Sequence, residues 1–309
     1  MSRRMDEFRK RRSRMARKAV GKRIELTPRD LELLKLLCRY RYLRSNFLYA
    51  FLGGASEKRF KERLCHLYHD GRYINRPQQQ WQFANCRYMP VIYELDDAGE
   101  RVLREHGLGR EVGPLLASGR GQVSRQFAHT LMISEILASI GLGVRADSSL
   151  RFISAQEILA KAPEPTRVTS NPFQIPVSIS YAFPGRERAH NADLKLVPDA
   201  LFGLEYNRKA YRFFALEADR NTMPCARSDL RQSSYLRKLL AYRAIAAQQI
   251  YKTRLGLPNL LVLNLTVSEE HMRSIMATLK ELVAAPCSCS KPSRILATCY
   301  ARLRHARKY

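Results

Sequence analysis

Residues 211–222, which read YRFFALEADRNT, constrain the fold more than any other stretch of this chain. Their apolar residues predict a buried strand, yet the stretch carries two carboxylates, Glu217 and Asp219. Residues two apart on a strand point to the same face of the sheet. A buried carboxylate is costly unless a cation, a metal ion or hydrogen-bond donors stabilise it. The fold must therefore supply partners to both acids.

One kind of partner is a divalent metal ion. Asp199 ends the apolar segment LKLVPDA, eighteen residues before Glu217, and Glu135 lies on a predicted apolar helix. If a hairpin brings Asp199 beside the acids of the next strand, then Glu135, Asp199, Glu217 and Asp219 offer the oxygen ligands that Mg²⁺ or Mn²⁺ prefers. Such an ion would orient water and stabilise charge on a phosphodiester.

The alternative is a set of ion pairs without metal. Asp219 is followed by Arg220, which predicts an ion pair at a turn, with Thr222 bonding the backbone there.

Glu217 has its own potential partners in Arg237 and Lys238 on the next predicted helix. Tyr242 lies one turn past Lys238, where a packing role and a nucleophilic role are both open. The residues alone leave the metal site and the ion pairs as alternatives.

The net charge of +26, from 54 Lys and Arg against 28 Asp and Glu, favours double-stranded DNA as the partner. Arginine pairs well with phosphate, and each neutralised phosphate releases counterions. A solubilising surface and an anionic membrane surface are the alternatives. Residues 1–24 hold eleven of these cations, among them Arg11 and Arg12, and predict a basic arm that is disordered in isolation and contacts DNA phosphates.

Residues 25–110 predict a winged helix-turn-helix domain. Thr27 and Pro28 start a helix in LTPRDLELLKLLCRYRYL, a short helix follows Ser45, and Ser56 caps a third helix that ends at Gly71. A hairpin then encloses the predicted wing PQQQWQFANCRYMP. The third helix would enter the major groove. The candidate DNA contacts here are Lys58, Arg59, Lys61, Arg63, Arg72 and Arg87, and the wing adds Gln78 to Gln80 and Gln82.

Residues 111–122 read as a linker, and 123–309 predict a second domain of α/β (α+β) class with a mixed sheet. An apolar helix of about seventeen residues opens it and ends at Gly141. The predicted strands are RFISA, FQIPVSISY, LKLVPDALFGL, YRFFALEAD, NLLVLNLTV and RILATCY, with helices over 225–254 and 268–284.

Seven scattered cysteines without a CxxC pair fit a reducing, cytoplasmic location. The absence of an apolar run near 18 residues predicts no membrane span, and a membrane is not among the expected partners. Without a Walker-type loop, an ATPase is not expected.

The chain from about 25 to 285 resembles the replication-relaxation family of bacterial plasmids and other mobile elements. The resemblance rests on five segments in the family's order: LTPRDLELLKLLCRYRYL, LYHDGRYI, AHTLMISEI, LVPDALFGL and FFALEADRNTMP. It implies a winged helix followed by a domain similar to the PD-(D/E)xK nuclease fold, which also occurs in one class of mobilisation relaxases.

The resemblance also implies roles for particular residues. Asp199 stands at the first acid of the nuclease motif, Glu217 at the second, and Glu135 matches the acid of the first core helix. Asp219 occupies the place of the motif's lysine, which would counter the charge of the transition state. Lys238 is the candidate for a migrated catalytic lysine, and Lys195 is the other candidate.

Two functions follow as expectations. The first is a DNA-binding protein of a mobile element that acts in plasmid replication, mobilisation or their regulation, as a homodimer or with other relaxosome or replication proteins. The second is a Mg²⁺- or Mn²⁺-dependent endonuclease or relaxase that nicks an origin, with Asp199, Glu217 and Lys238 as catalytic residues.

Overall fold

The computed structural model describes residues 12–108, 127–185, 188–207 and 210–284, and the strand Ala297–Thr298. The chain divides into two compact units, Met1–Leu142 and Gly143–Tyr309. Together they form an α+β protein with small mixed sheets, as the sequence predicts. The predicted domain bounds, which assign 123–142 to the second domain, and the winged-helix assignment of the first stay predictions.

The first unit alternates helices with very short strands. In chain order its elements are α1 (Pro28–Tyr40), β1 (Leu43–Arg44), α2 (Ser45–Leu52), α3 (Glu57–His69), β2 (Ile74–Asn75), a 3₁₀ helix (Gln78–Gln82), β3 (Ile92–Leu95) and α4 (Asp97–Glu105). The strands form one antiparallel sheet in the order β1-β3-β2, with Leu43 opposite Tyr93 and Ile74 opposite Leu95.

The helix starts of this unit follow from local capping. Thr27 and Asp30 form a reciprocal capping box at the start of α1, and Pro28 occupies the first turn. Ser56 accepts the amide hydrogen of Arg59 at the start of α3. The predicted starts of both helices are therefore confirmed, and their apolar stripes bury Leu34, Leu64 and other leucines in the core.

The stretch predicted as a wing is partly folded onto the body of the unit. Its glutamines form the 3₁₀ helix, and the buried Gln80 accepts the amide hydrogen of Ile92 and donates to the Ile92 and Pro77 carbonyls. Gln80 is thus not a wing contact, because its side-chain amide hydrogen-bonds to the backbone of Pro77 and Ile92 inside the unit. Arg14 contacts the turn that follows, donating to the backbone carbonyls of residues 86, 87 and 89.

The described part of the basic arm lies along the first unit instead of standing free. Arg12 pairs with Asp70 at 2.5 Å, and Arg17 pairs with Asp96 at 2.6 Å. The Asp70 carboxylate also accepts the Val20 amide hydrogen at 2.9 Å. Charge repulsion within the arm predicts disorder, but these acids and carbonyls offset it over residues 12–20. Arg11 lies outside the described residues.

Helix α5 (Phe127–Ala146) passes the glycine that was predicted to end it. A side chain at Gly141 would come within 2.4 Å of the Tyr40 hydroxyl, so the glycine permits close packing instead of stopping the helix. The first turns of α5 bury Phe127 and Leu131 against Tyr42 and Ile92.

Helix α5 is also long and apolar enough to cross a membrane, with a mean hydropathy of 1.5, and half of that window is buried within the protein. Ser134 is fully buried and donates to the Tyr40 carbonyl. Packing in a protein core therefore accounts for the apolar character of this helix.

The second unit contains a mixed five-stranded sheet, a separate two-stranded sheet and several helices. Its elements are β4 (Leu150–Ile153), α6 (Ala155–Lys161), α7 (Glu164–Arg167), β5 (Ile175–Tyr181), β6 (His190–Leu196), β7 (Ala200–Tyr206), β8 (Ala210–Asp219), α8 (Tyr235–Ala247), α9 (Ile250–Leu255), β9 (Leu261–Thr266), α10 (Glu269–Ala284) and β10 (Ala297–Thr298).

The five-stranded sheet has the order β10-β9-β8-β7-β4, and β5 pairs only with β6. Strands β8, β9 and β10 run parallel, whereas β7 and β4 are antiparallel to their neighbours. The strand carrying the two acids therefore lies at the centre of the sheet, and α8 and α9 make the crossover to β9.

Two predicted elements are interrupted. The segment LKLVPDALFGL does not form one strand, because β6 ends at Leu196 and β7 begins at Ala200 in a different sheet. The helix predicted over 225–254 begins only at Tyr235, after the Ser234 cap, and breaks at Gln249, whose φ is 53°. Pro198 and the Ser-rich turn explain these boundaries, because both favour non-regular backbone.

The Asp70 contacts predict how the arm opens. Asp70→Asn removes a charged acceptor from Arg12, a loss of about 1.5 kcal/mol, which corresponds to roughly tenfold more open arm. Trypsin should then cleave after Arg17 and Lys18 about tenfold faster, as followed by mass spectrometry. Glu62→Gln, on the exposed face of α3, the helix that ends one residue before Asp70, is the matched control. Equal cleavage of wild type and Asp70→Asn would contradict the docking.

Candidate functional site

The two carboxylates of β8 are buried on one face of the central sheet. Glu217 is 1% exposed and Asp219 is 6% exposed. In the parallel register Glu217 is adjacent to Asn264, and Asp219 is adjacent to Thr266, at the carboxyl end of β9. A polar cluster thus lies at the carboxyl ends of two parallel strands, the position where open α/β sheets commonly bind ligands.

Glu217 is held by two side chains of α8, one for each carboxylate oxygen. The Lys238 ammonium lies 2.5 Å from Oε2, and the Tyr242 hydroxyl donates to Oε1 at 2.5 Å. Residues four apart on a helix share a face, so one face of α8 supplies both donors. Of the two predicted partners of Glu217, the structure pairs it with Lys238 and not with Arg237. Tyr242 is itself buried, so it acts here as a donor to Glu217.

Burial controls the protonation of this cluster. It raises the pKa of Glu217, a shift that the Lys238 charge opposes. Burial lowers the pKa of Lys238, but the charges of Glu217 and Asp199 outweigh this, and the pKa is raised. The pKa of Tyr242 is raised by burial and by Glu217. The ammonium is therefore retained, and the tyrosine stays a neutral donor.

Asp199 lies beside Glu217, as a β7–β8 hairpin requires. Its backbone amide donates to the Leu216 carbonyl at 3.0 Å, and its carboxylate accepts the Ala218 amide hydrogen at 2.8 Å. Its charge contributes to the raised pKa values of both Glu217 and Lys238. The structure therefore brings three of the predicted residues together: Asp199, Glu217 and Lys238.

Asp219 has a partner that the sequence did not suggest. Its Oδ2 lies 2.5 Å from Nε2 of His271 on α10, and its Oδ1 accepts the Thr222 amide hydrogen at 3.2 Å. The predicted turn bond to Thr222 is thus present, but His271 takes the place expected for Arg220, which is exposed. Only the prediction of a helix directly after β9 could have pointed to His271, because that helix starts beside the carboxyl end of β8.

Glu135 is engaged elsewhere. It lies on the part of α5 that belongs to the first unit, and its carboxylate pairs with Arg44 at 2.5 Å. Both side chains are largely buried. This ion pair gives Glu135 a partner within the first unit, so a role beside Asp199 is not needed to explain it.

The predicted metal ligands do not have the geometry of a metal site. Both oxygens of Glu217 accept hydrogen bonds, and Asp219 is bound to His271. Within the described ranges no three His, Cys, Asp or Glu side chains are arranged to hold a metal ion. The residues as placed here do not fit Mg²⁺ or Mn²⁺, and the metal stays a prediction.

The predicted DNA-contacting residues of the first unit fall into two groups. Lys58, Arg59 and Lys61 on α3 are exposed, and Lys61 forms only a surface pair with Glu57 at 2.8 Å. Arg63 on the same helix instead pairs with the buried Asp30 at 2.6 Å. This contact joins α3 to the start of α1, which gives Arg63 a structural role.

The remaining predicted contacts lie outside α3. Arg72 and Arg87 are exposed, in the turn after α3 and in the turn after the 3₁₀ helix. Arg12 is engaged by Asp70. Tyr88, beside Arg87, is 89% exposed, and sequence reasoning did not single it out.

The fold and site define a two-unit α+β protein: a basic helical first unit, and a mixed-sheet unit whose central carboxylate is bound by a lysine and a tyrosine. The replication-relaxation family model matches residues 34–261, most of the chain, and the chain belongs to this family. Membership indicates a role in the replication or relaxation of a plasmid or other mobile element. No curated protein and no solved structure gives a match.

The Glu217 cluster predicts a pH-dependent stability change. Lys238→Met leaves the carboxylate without its counter-charge, which should lower the free energy of unfolding by about 3 kcal/mol at pH 8. The pKa of Glu217 then rises further above its usual 4.5, so the folded variant binds a proton that the unfolded chain does not. Stability is thus lost as pH rises, and the deficit should be smaller near pH 5.

Urea unfolding at the two pH values measures this difference. Glu217→Gln combined with Lys238→Met is the control, because no carboxylate remains to be neutralised and the extra pH dependence should vanish. A deficit for Lys238→Met that is equal at both pH values would rule out this account of the pair.

Proposed function

We propose that this chain is a DNA-binding protein of a mobile element that acts in plasmid replication, mobilisation or their regulation. The observation that carries the proposal is the exposed cationic face of α3. Among the described residues, Lys58 and Arg59 have no ion-pair partner, so their charges are available to phosphate. Unpaired cations on an exposed helix favour contact with a polyanion.

The order of elements in the first unit supports a winged-helix mode of binding. A helix, a short strand, two helices and two strands follow one another, and α3 is the second member of the helix-turn-helix. In this mode α3 enters the major groove. Arg72, Arg87 and the exposed Tyr88 then border the duplex from the turns beside α3.

In this proposal the second unit holds DNA or assembles subunits without cutting. Asp219 stands where a nuclease needs a lysine, and its carboxylate is directed to His271. Glu217 is likewise bound by donors from its own chain. A homodimer and an assembly with other replication or relaxosome proteins are both compatible with such a unit.

Fluorescence anisotropy with a labelled duplex of the native origin tests the DNA-binding proposal. The logarithm of affinity should fall linearly with the logarithm of salt concentration, and Arg59→Ala should reduce that slope by about one. Lys252→Ala, an exposed cation of the second unit, is the matched control and should leave the slope unchanged. Absence of binding at low salt would refute the proposal.

A second candidate is a metal-dependent endonuclease or relaxase. The observation that favours it is the contact between Lys238 and Glu217, because it brings a lysine of α8 beside the motif's second acid, whereas Asp219 occupies the position of the motif's own lysine. In this role Lys238 would counter the negative charge that develops on the phosphate, while Asp199 and Glu217 would position the reacting groups.

Incubation with supercoiled plasmid carrying the native origin, in buffer with Mg²⁺ or Mn²⁺, distinguishes the two candidates. Nicking by the wild type that is lost in Asp199→Asn and Lys238→Met, and kept in Lys252→Gln, would establish the enzyme. Intact plasmid together with retained duplex binding would leave the non-cutting DNA-binding protein.

A further inference from the structure

A cavity of about 260 Å³ opens in the second unit between the end of β6 and the start of α8. Polar side chains of β6, of α8 and of the turn before α8 line it, and these are Lys195, Ser233, Ser234, Arg237 and Lys238. Leu194, Leu196, Met223 and Ala241 form its apolar wall. Among the described residues no carboxylate lines it, so the charge that these residues present to the cavity is positive. The cavity is adjacent to the Glu217 cluster but is not built from its acids.

Two of the cations at the cavity have no acidic partner in the part of the chain that the structure describes. Lys195 is exposed on β6, and Arg237 is half-buried on α8. The Nε atom of Arg237 is fully buried and has no hydrogen-bond acceptor. Arg237 lines the cavity, and its side chain makes no hydrogen bond or ion pair with the described residues, so its other guanidinium N–H groups are available to an anionic ligand there. Lys238 differs, because Glu217 and Asp199 already offset its charge.

The serine that caps α8 adds a donor. Ser234 is 2% exposed and accepts the Arg237 amide hydrogen at 3.2 Å, while its own hydroxyl hydrogen has no acceptor among the described residues. The first amides of α8 are occupied, since Tyr235 and Leu236 donate to the Pro224 and Cys225 carbonyls. A ligand here would be held by side chains, with the helix dipole adding favourable potential.

We propose that this cavity binds a phosphate group. Arg237 and Lys195 supply the charge, and Ser234 donates a hydrogen bond to a phosphate oxygen. The cavity is smaller than the roughly 300–1,000 Å³ of pockets that enclose drug-sized ligands, so it holds one phosphate group with its sugar, and the rest of a longer ligand would lie outside it. If the chain binds DNA as proposed, this phosphate belongs to the phosphodiester backbone of a single nucleic acid strand. Only this identification of the ligand rests on the proposed function.

Isothermal titration calorimetry of the full chain tests the site with two probes at matched ionic strength, which are inorganic phosphate and the dinucleotide pTpT. Both should bind the wild type. Lys195→Gln and Arg237→Gln should each weaken binding by about tenfold, because each removes a charge-assisted contact. Lys252→Gln, an exposed cation away from the cavity, should bind both probes like the wild type.

The outcomes separate the source of the phosphate from the site itself. Binding of both probes supports a nucleic acid strand, and binding of inorganic phosphate alone assigns the cavity to free phosphate. The proposal is overturned if neither probe binds, or if both glutamine variants bind like the wild type. Lys195 is exposed, so Lys195→Gln remains informative even if Arg237→Gln fails to fold.

Duplex binding measured on the same variants keeps this proposal apart from the DNA-binding function. Arg237→Gln should retain the affinity that depends on α3. A wild type that binds phosphate but no duplex would refute the proposed function and leave the cavity site standing.

Discussion

The buried carboxylate of Glu217 is the constraint on which the second unit depends. A charged group at the centre of a sheet must be neutralised, and Lys238 and Tyr242 on one face of α8 do this together. The contact fixes how α8 lies on the sheet. Arg237, on another face of α8, has no acidic partner in the described part of the chain, so its positive charge lies at the adjacent cavity.

Buried carboxylates also need partners in the first unit, but there the cations are abundant and the acids are few. The carboxylates of Asp30 and Asp70 are buried, and each forms an ion pair with an arginine from a distant part of the chain. Arg63 and Arg12 are thereby used for folding. Lys58 and Arg59 remain exposed on α3 and carry the DNA-binding proposal.

Much of the fold could be predicted because its signals are local. Caps such as Thr27 and Ser56 mark helix starts, and apolar alternation marks the strands. The errors have tertiary causes: Gly141 looks like a helix stop but allows close approach to Tyr40, and the glutamine stretch folds inward around Gln80. The sequence offered Lys238 and Arg237 as alternative partners of Glu217 because both lie on the next predicted helix, whereas it did not point to His271, since fifty-two residues separate it from Asp219.

The sequence by itself determined the family, the α+β class, the basic character and the presence of two acids that needed partners. These follow from composition and short-range pattern, which do not require the chain to be folded. Only the tertiary structure decided that Glu217 binds Lys238 and Tyr242, that Asp219 binds His271, and that Glu135 belongs with Arg44. The physical reason is that a carboxylate accepts any donor that packing brings within reach, and packing is a property of the whole fold.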